Sequence, residues 1–338
     1  MKHCIVLSII NTSIIISTNS LKKGVALKLK KRTAVIHQKT LWQNAREHWI
    51  AYLMILPTII WFIVWKYFPM YGILVAFKDY SVFKGVWGSE WVGMENFKEF
   101  FSSPYAWRVI RNTLLINIYS LLTVFPATIV LALLLNELRS KIFKSGVSTM
   151  LYLPHFISTV VVAGIVITFL SPSSGIINIL IEKLGGNKTY FLTKPEYFRT
   201  IFILMQAWQG LGFGTILYTS ALCGIDDSLY EAAQLDGAGK LRQIWHITLP
   251  GIAPTISIKL ILALGGLLSV GADSILLLYQ PITYETADVI GTFVYRASIE
   301  NNNYSLGTAV GLFNGIIGCI LVVASNRLSR KISNSSIW

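Results

Sequence analysis

Charge is what this sequence has least of. Asp, Glu, Lys and Arg make up 13% of its 338 residues, against about a quarter in soluble proteins. So few charges cannot cover a water-facing surface, which excludes an ordinary soluble globule. Cysteine is scarce too. Cys4, Cys223 and Cys319 lie far apart and form no metal or redox spacing, so they are expected to act as small buried hydrophobes. The five histidines are equally scattered. No P-loop, nucleophile elbow or zinc spacing occurs, so no catalytic residue, metal ligand or cofactor is assigned and the chain should not hydrolyse ATP itself. An internal repeat and a buried acidic pair are also missing, and an ion-driven secondary transporter would ordinarily carry both.

Apolar residues fill the space instead. They reach 54%, with a mean hydropathy of +0.58. The length would allow two soluble domains, but the long apolar runs fit one all-α polytopic bundle. Six spans are expected at about residues 49–68, 112–135, 150–170, 200–222, 254–279 and 306–325, each near the ~20 residues that cross a hydrocarbon core. All should be helices, because lipid offers the backbone no hydrogen-bond partner. A formal net charge of +13 would suggest nucleic acid in a soluble protein, but here it reads as orientation. Lys22, Lys23, Lys28, Lys30, Lys31, Arg32, Lys39 and Arg46 precede the first span. Arg139, Lys141 and Lys144 join the second to the third, and Arg327, Arg330 and Lys331 follow the last. Both termini are therefore expected in the cytoplasm of a bacterial plasma membrane protein. The chain then divides into a basic segment (1–48), a membrane domain (49–325) and a tail (326–338).

Residues 223–250 form a polar island between two apolar runs. Ser228-Leu229-Tyr230-Glu231 reads as a capping box. Asp236-Gly237 supplies the positive φ that ends the first helix. A second helix fits Lys240 to Leu249, with Pro250 as the next boundary. On the residues alone this is a helical hairpin that docks a soluble partner, or else an amphipathic connector.

The spacing carries a resemblance. Glu231-Ala232-Ala233, three residues, Gly237, nine residues, then Ile247-x-Leu249-Pro250 resembles the EAA loop of ABC-importer permeases. That resemblance implies the type I importer permease fold, with six transmembrane helices. It also implies a cytoplasmic loop that inserts as a coupling helix into a groove on an ATPase subunit, through Glu231, Ala232, Ala233, Asp236, Gly237, Ile247, Leu249 and Pro250. The implied partners are a second homologous permease, an ATPase pair that uses the ATP, and an extracellular solute-binding protein or lipoprotein.

The connection at about residues 69–111 has a signature of its own. Tyr67-x-Pro69-Met70-Tyr71-Gly72, Ala76-Phe77-Lys78-Asp79-Tyr80, Trp91-Val92-Gly93-x-x-Asn96-Phe97 and Asn112-Thr113 resemble sugar permeases of this family. Tyr284-Glu285-x-Ala287-Asp288-Val289-Ile290, Val294-Tyr295-Arg296, Gly311-Leu312-Phe313 and Asn326-x-x-Ser329-Arg330 are similar to the subgroup that moves alginate and pectin fragments. Two departures stand out. Ala272-Asp273 occupy a place where that subgroup carries an aromatic residue and glutamate, and Gly291 one where it carries aspartate. The expected function is import of oligosaccharides or polysaccharide fragments. Permeases for a peptide or amino acid, and an ion-coupled secondary transporter, are the alternatives.

The apolar stretch at residues 5–16 is too short to span and lacks a cleavage site. Residues 1–23 are either a start assigned too early or an interfacial anchor. Polar residues inside spans are candidates for the substrate path. Gln206, Gln209, Gly210 and Phe213 share a face of the fourth span, with Trp208 alongside. Lys259, Gly266, Ser269 and Asp273 share a face of the fifth. Asp273 is expected about 28 Å beyond Pro254, near the outer boundary, and Lys259 near the inner one, where it can snorkel. The amides of the fourth span either touch sugar or bridge helices. Gly307, Gly311 and Gly315 suggest close helix packing on the sixth. Aromatics, at 12%, serve as sugar platforms or as interfacial belts.

Overall fold

The computed structural model describes residues 48–333, and side chains as far as 330. The basic segment before residue 48, residues 1–23 within it, Cys4 and the end of the tail lie outside the described residues. Two units meet at Trp65–Lys66. In the first, α1 (Trp49–Phe62) contains Pro57 and passes into a π turn at Ile63–Tyr67. It is apolar all round, the composition of a helix meant for lipid or a partner rather than water.

The second unit continues through a 3-10 stretch, Phe68–Phe77, into a small ribbon pairing Lys78–Asp79 with Glu90–Trp91. Its helices are α2 (Glu95–Ser102), α3 (Pro104–Glu137), α4 (Lys141–Tyr152), α5 (Thr159–Phe169) and α6 (Ile176–Lys183). Then come α7 (Pro195–Leu222), α8 (Asp227–Leu235), α9 (Lys240–Gly265), α10 (Ile290–Tyr295) and α11 (Tyr304–Ser333). Among the described residues five helices, counting the run from Trp49 to Phe77, are long and apolar enough to cross a membrane. A sixth span exists if α4 and α5 are taken as one broken element, bent by 97°.

That bend corrects the expected third span. Pro154 sits in a 3-10 turn at Leu153–Phe156, and Ser158 Oγ accepts the Val161 N–H to start a new helix. A proline without a donor followed by a capping serine breaks the helix where apolarity alone predicts continuity. The fifth span needs a larger correction. Its helix begins at Lys240, runs through Pro250 and Pro254, and ends at Gly265. A π turn at Ile244–Thr248 re-registers the backbone just ahead of the prolines, so Pro250 is not a boundary. Asp273 lies instead on a separate short helix, Ala272–Leu276. Lys259, Gly266, Ser269 and Asp273 therefore share no helix face.

α7 packs along α3, and α9 along α11. The buried apolar clusters gather where α3 and α7 begin, around Ile116, Phe198, Phe202 and Met205 and around Phe100, Val109, Ile290 and Val310. Further along, Leu122, Leu134, Leu204, Leu217, Leu262 and Ile320 face outward, which suits a bundle solvated by lipid. The same property corrects the cysteines: Cys223 and Cys319 are exposed, because in such a bundle a small hydrophobe is equally at home outside. The glycine ladder is corrected in part. Gly307 abuts Ser298, while Gly311 and Gly315 face open space. On α11 the close approach to another helix is at Val322, against Gly265 of α9, with Gly318 above the Gly265 carbonyl.

Candidate functional site

The polar island folds as a hairpin at the end where α3 and α7 terminate. Asp226 caps α8, its Oδ1 accepting the Ser228 N–H at 3.0 Å. That hydrogen bond lowers the Asp226 carboxyl pKa. The expected capping box is thereby corrected. Asp226 has extended backbone and its carboxylate opposes the helix dipole, so Ser228 falls inside the first turn. Glu231 is left exposed, with no hydrogen bond among the described residues. At the other end of α8, Gly237 N–H donates to Gln234 and Ala238 N–H to Ala233, and Gly237 has φ +75°. This is a Schellman stop, and it needs glycine at that position.

Two internal braces and one tie to α3 hold the hairpin. Buried Gln243 donates to the Ala238 carbonyl at 2.8 Å, and Tyr230 and Thr248 hydroxyls meet at 3.0 Å. Lys240 pairs with Glu137, the last residue of α3, at 3.0 Å. Ile247 and Leu249 are half-buried on the bracing side, as is Ala233. Glu231, Ala232, Asp236, Gly237 and Pro250 are exposed. So are Leu229, Leu241 and Leu235, the last at 91%. The tip of the folded hairpin therefore exposes apolar side chains beside the Glu231 carboxylate.

The opposite end is a knot of buried charge. Asp288, with no exposed side-chain surface, receives Arg108 at 3.0 Å and Arg296 at 2.7 Å on one oxygen and the Thr292 hydroxyl at 2.8 Å on the other. Burial alone would lower the Arg296 pKa, but the hydrogen bond and charge of Asp288 raise it. Its guanidinium also lies 4.6 Å from the Tyr284 ring centre, and Tyr279 stacks on the same ring. Burial, with a Tyr284 hydrogen bond, pushes the Tyr279 phenol up to about 12. Asn112 donates to the Glu285 and Asp288 carbonyls and accepts from Arg199. Thr113 Oγ accepts the Ile290 N–H. Thus Asn112-Thr113 and the Asp288 to Arg296 segment, 175 residues or more apart, hold one another. Each motif is visible in the sequence. Their pairing, and the roles of Arg108 and Arg199, are not. A cavity of about 770 Å³ opens beside this knot, lined by Arg108, Tyr284, Glu285, Arg296, Asn301 and Asn303 among others.

The four path candidates do not converge, and no described cavity is lined by two of them. Gln209 donates to the Ile157 carbonyl at 2.9 Å, bridging α7 to the turn before α5. Gln206 is half-buried. Trp208 is exposed beside an apolar groove with Phe169 and Leu204, and Asp273 is exposed. The departures Ala272 and Gly291 meet: a Cβ on Gly291 would lie 2.8 Å from that of Ala272. A different cavity, of about 420 Å³, lies between α3, α7 and α9 and is lined by Asn117, Ser120, Thr128, Tyr218 and Lys259 among others. Lys259 lies nine residues, about 14 Å, past Pro250 at the end of the hairpin, and six residues, about 9 Å, before the helix ends at Gly265.

Residues 124–334 match the family described as binding-protein-dependent transport system inner membrane component. The chain belongs to that family, the permeases of ABC importers, and is a multi-pass inner-membrane transport subunit. Among curated relatives, the polygalacturonan/rhamnogalacturonan transport system permease protein YteP of Bacillus subtilis is 44% identical over 85% of this chain and 89% of its own. Protein LplB of the same organism is 42% identical over 88% and 94%. A chain from the crystal structure of a bacterial ABC transporter involved in import of the acidic polysaccharide alginate aligns at TM-score 0.81 and 45% identity, covering 87% of this chain and 99% of that one.

Proposed function

We propose that this chain imports oligosaccharides or polysaccharide fragments as one half of a transmembrane pathway. It takes them from an extracellular binding protein and draws power through a separate ATPase pair. The observation that carries the coupling half is the hairpin: braced internally by Gln243 and Tyr230 and tied to α3 by Lys240, yet exposing Glu231, Leu229, Leu235 and Leu241. A surface rigid within and apolar without suits a rigid-body lever. ATPase closure would move residues 223–250, and the attached α7 and α9 would tilt to change which side the path faces. Saccharides are favoured over peptides or amino acids by the relatives whose names state a substrate. The chain itself needs no cofactor in this scheme, since ATP acts in the partner.

Both termini and the hairpin are assigned to the cytoplasm, and the charge knot to the outer side. Reporters fused after Lys144, Arg242 and Lys331 should be cytoplasmic, and those near Trp91, Lys188 and Glu300 external. In the assembled transporter, a Leu235→Cys chain should cross-link to the ATPase. An external Arg242 reporter, or no cross-link in an active complex, overturns the assignment.

A further inference from the structure

Apart from Lys259, the long helices of the second unit are without charge over most of their length. No Asp, Glu, Lys or Arg occurs at residues 112–136 of α3, 200–222 of α7 or 305–326 of α11, and residues 243–265 of α9 contain Lys259 alone. The neighbours of Lys259 fix its depth. Lys240, at the start of α9, pairs with Glu137 at the end of α3. Just past the end of α9, the Leu267 carbonyl accepts from Asn117. Between them, Lys259 shares its cavity with Ser120 and Val124, in the middle of the 34-residue α3. It lies nine residues, about 14 Å, past Pro250 where the hairpin ends, and six residues, about 9 Å, before the end of α9 at Gly265, deeper than a lysine stem of about 6 Å spans from either side.

A lysine at that depth is costly unless it meets water or a counter-ion. Among the described residues its ammonium has neither an ion pair nor a hydrogen bond, and the cavity has no carboxylate in its lining. What the cavity does hold is hydroxyl and amide chemistry. Ser120, Thr128 and Tyr218 line it. Asn117 spends its amide N–H on the Thr113 and Leu267 carbonyls, which leaves its oxygen as an acceptor. Gly214 and Gly266 add no side-chain bulk to the wall.

From this we infer that Lys259 lines the translocation path and takes the carboxylate of an acidic saccharide, with Ser120, Asn117 and Tyr218 placed for the neighbouring hydroxyls. The inference rests on the oligosaccharide reading above and adds the charge of the sugar to it. A cation without a fixed partner suits transport, because it binds a passing anion without a resident carboxylate to displace.

The test is uptake of trigalacturonate and of its carboxyl-reduced, neutral counterpart by cells carrying the complete transporter. Lys259→Met should lower trigalacturonate uptake about tenfold or more, and neutral uptake less than about twofold. Lys259→Arg should restore most of the acidic uptake. A Lys259→Cys chain, with Cys4, Cys223 and Cys319 changed to serine, should react with a membrane-impermeant sulfonated thiol reagent in inverted or right-side-out vesicles, and trigalacturonate should slow that reaction. Equal loss for both sugars, no loss for either, or a Lys259→Cys chain closed to the aqueous reagent in both vesicle orientations overturns the inference. Wild-type uptake of the neutral sugar alone overturns it and leaves the oligosaccharide reading standing. Uptake of neither sugar overturns both.

Discussion

The two ends of the α3–α7 pair solve opposite problems. At the Asp288 end, polar groups turn inward and meet one another: a carboxylate, guanidiniums, a threonine and an asparagine link α3, α7 and the 284–296 segment. Arg108 Nε, Arg199 Nε and Arg296 Nη1 are buried there without a hydrogen-bond partner among the described residues. At the hairpin end the braces are fewer, and leucines and a glutamate point away from the chain. One end is tied together by its own side chains; the other leaves its apolar side chains exposed. Under the proposed coupling role a partner would cover the second, and the first would anchor the lever.

Breaking the anchor should have the largest effect. Asp288→Ala leaves the part-buried Arg108 and Arg296 without their shared carboxylate, a change expected to cost about 3 kcal/mol, the lower end of what fully buried pairs lose. Detergent-stable complex should fall to a small fraction of wild type, with its Tm lowered. Asp288→Asn keeps the shape and loses the charge, so it should be nearly as harmful. A variant complex as stable as wild type would mean that the network decorates the fold rather than holding it.

The hairpin should respond in function and not in assembly of the membrane domain. Gly237→Val places a β-branched residue at φ +75°, where the side chain clashes with its own backbone. No neighbouring atom crowds that site, so the damage should stay local to the turn. Insertion should be normal, ATPase association weaker, and uptake reduced about tenfold or more, the scale of ~1–2 kcal/mol. Glu231→Lys should act in the same direction by reversing an exposed charge. If both variants transport normally, the comparison between the two ends fails at its functional half.

Elements that rest on local chemistry were legible in the sequence, and pairings were not. Gly237 was readable because glycine is the residue type that takes its positive φ at least cost. Helices α3, α7 and α11 contain their expected spans because apolar composition requires helix in lipid. The expectation failed where one local signal overrode another. Pro154 with Ser158 broke a span that hydropathy joined, and the π turn at Ile244–Thr248 carried a helix past Pro250. The second failure displaced Asp273 from its supposed helix and drew Lys259 toward the middle. Long-range partners such as Asp288 and Arg108, 180 residues apart, leave no trace in periodicity.

A smaller effect is expected at Gln209. Its amide donates to the Ile157 carbonyl, at the broken joint between α4 and α5. That carbonyl follows a 3-10 turn and precedes the Ser158 cap, so no helix supplies it with a donor. Gln209→Ala should remove about 1 kcal/mol of stability and lower the Tm of the complex by a few degrees. Saccharide preference should not change. A shift in preference at unchanged Tm would return Gln209 to the path.

The smallest effect is expected at Asp273 and Trp208, and it separates path from surface most cleanly. Asp273 is exposed on a five-residue helix and forms no ion pair among the described residues. Trp208 faces an apolar groove formed with Ile165, Phe169 and Leu204, a wall suited to lipid or to another helix rather than to a hydrated sugar. Neither shares a cavity with Lys259. Asp273→Ala and Trp208→Ala should therefore each leave uptake within about twofold of wild type, the range of surface changes that break no named contact. Lys259→Met, in the same assay, should not. A loss of uptake at Asp273 with the complex intact would mean that the path runs along the short Ala272–Leu276 helix. The mid-bundle cavity would then be a packing defect and not a passage.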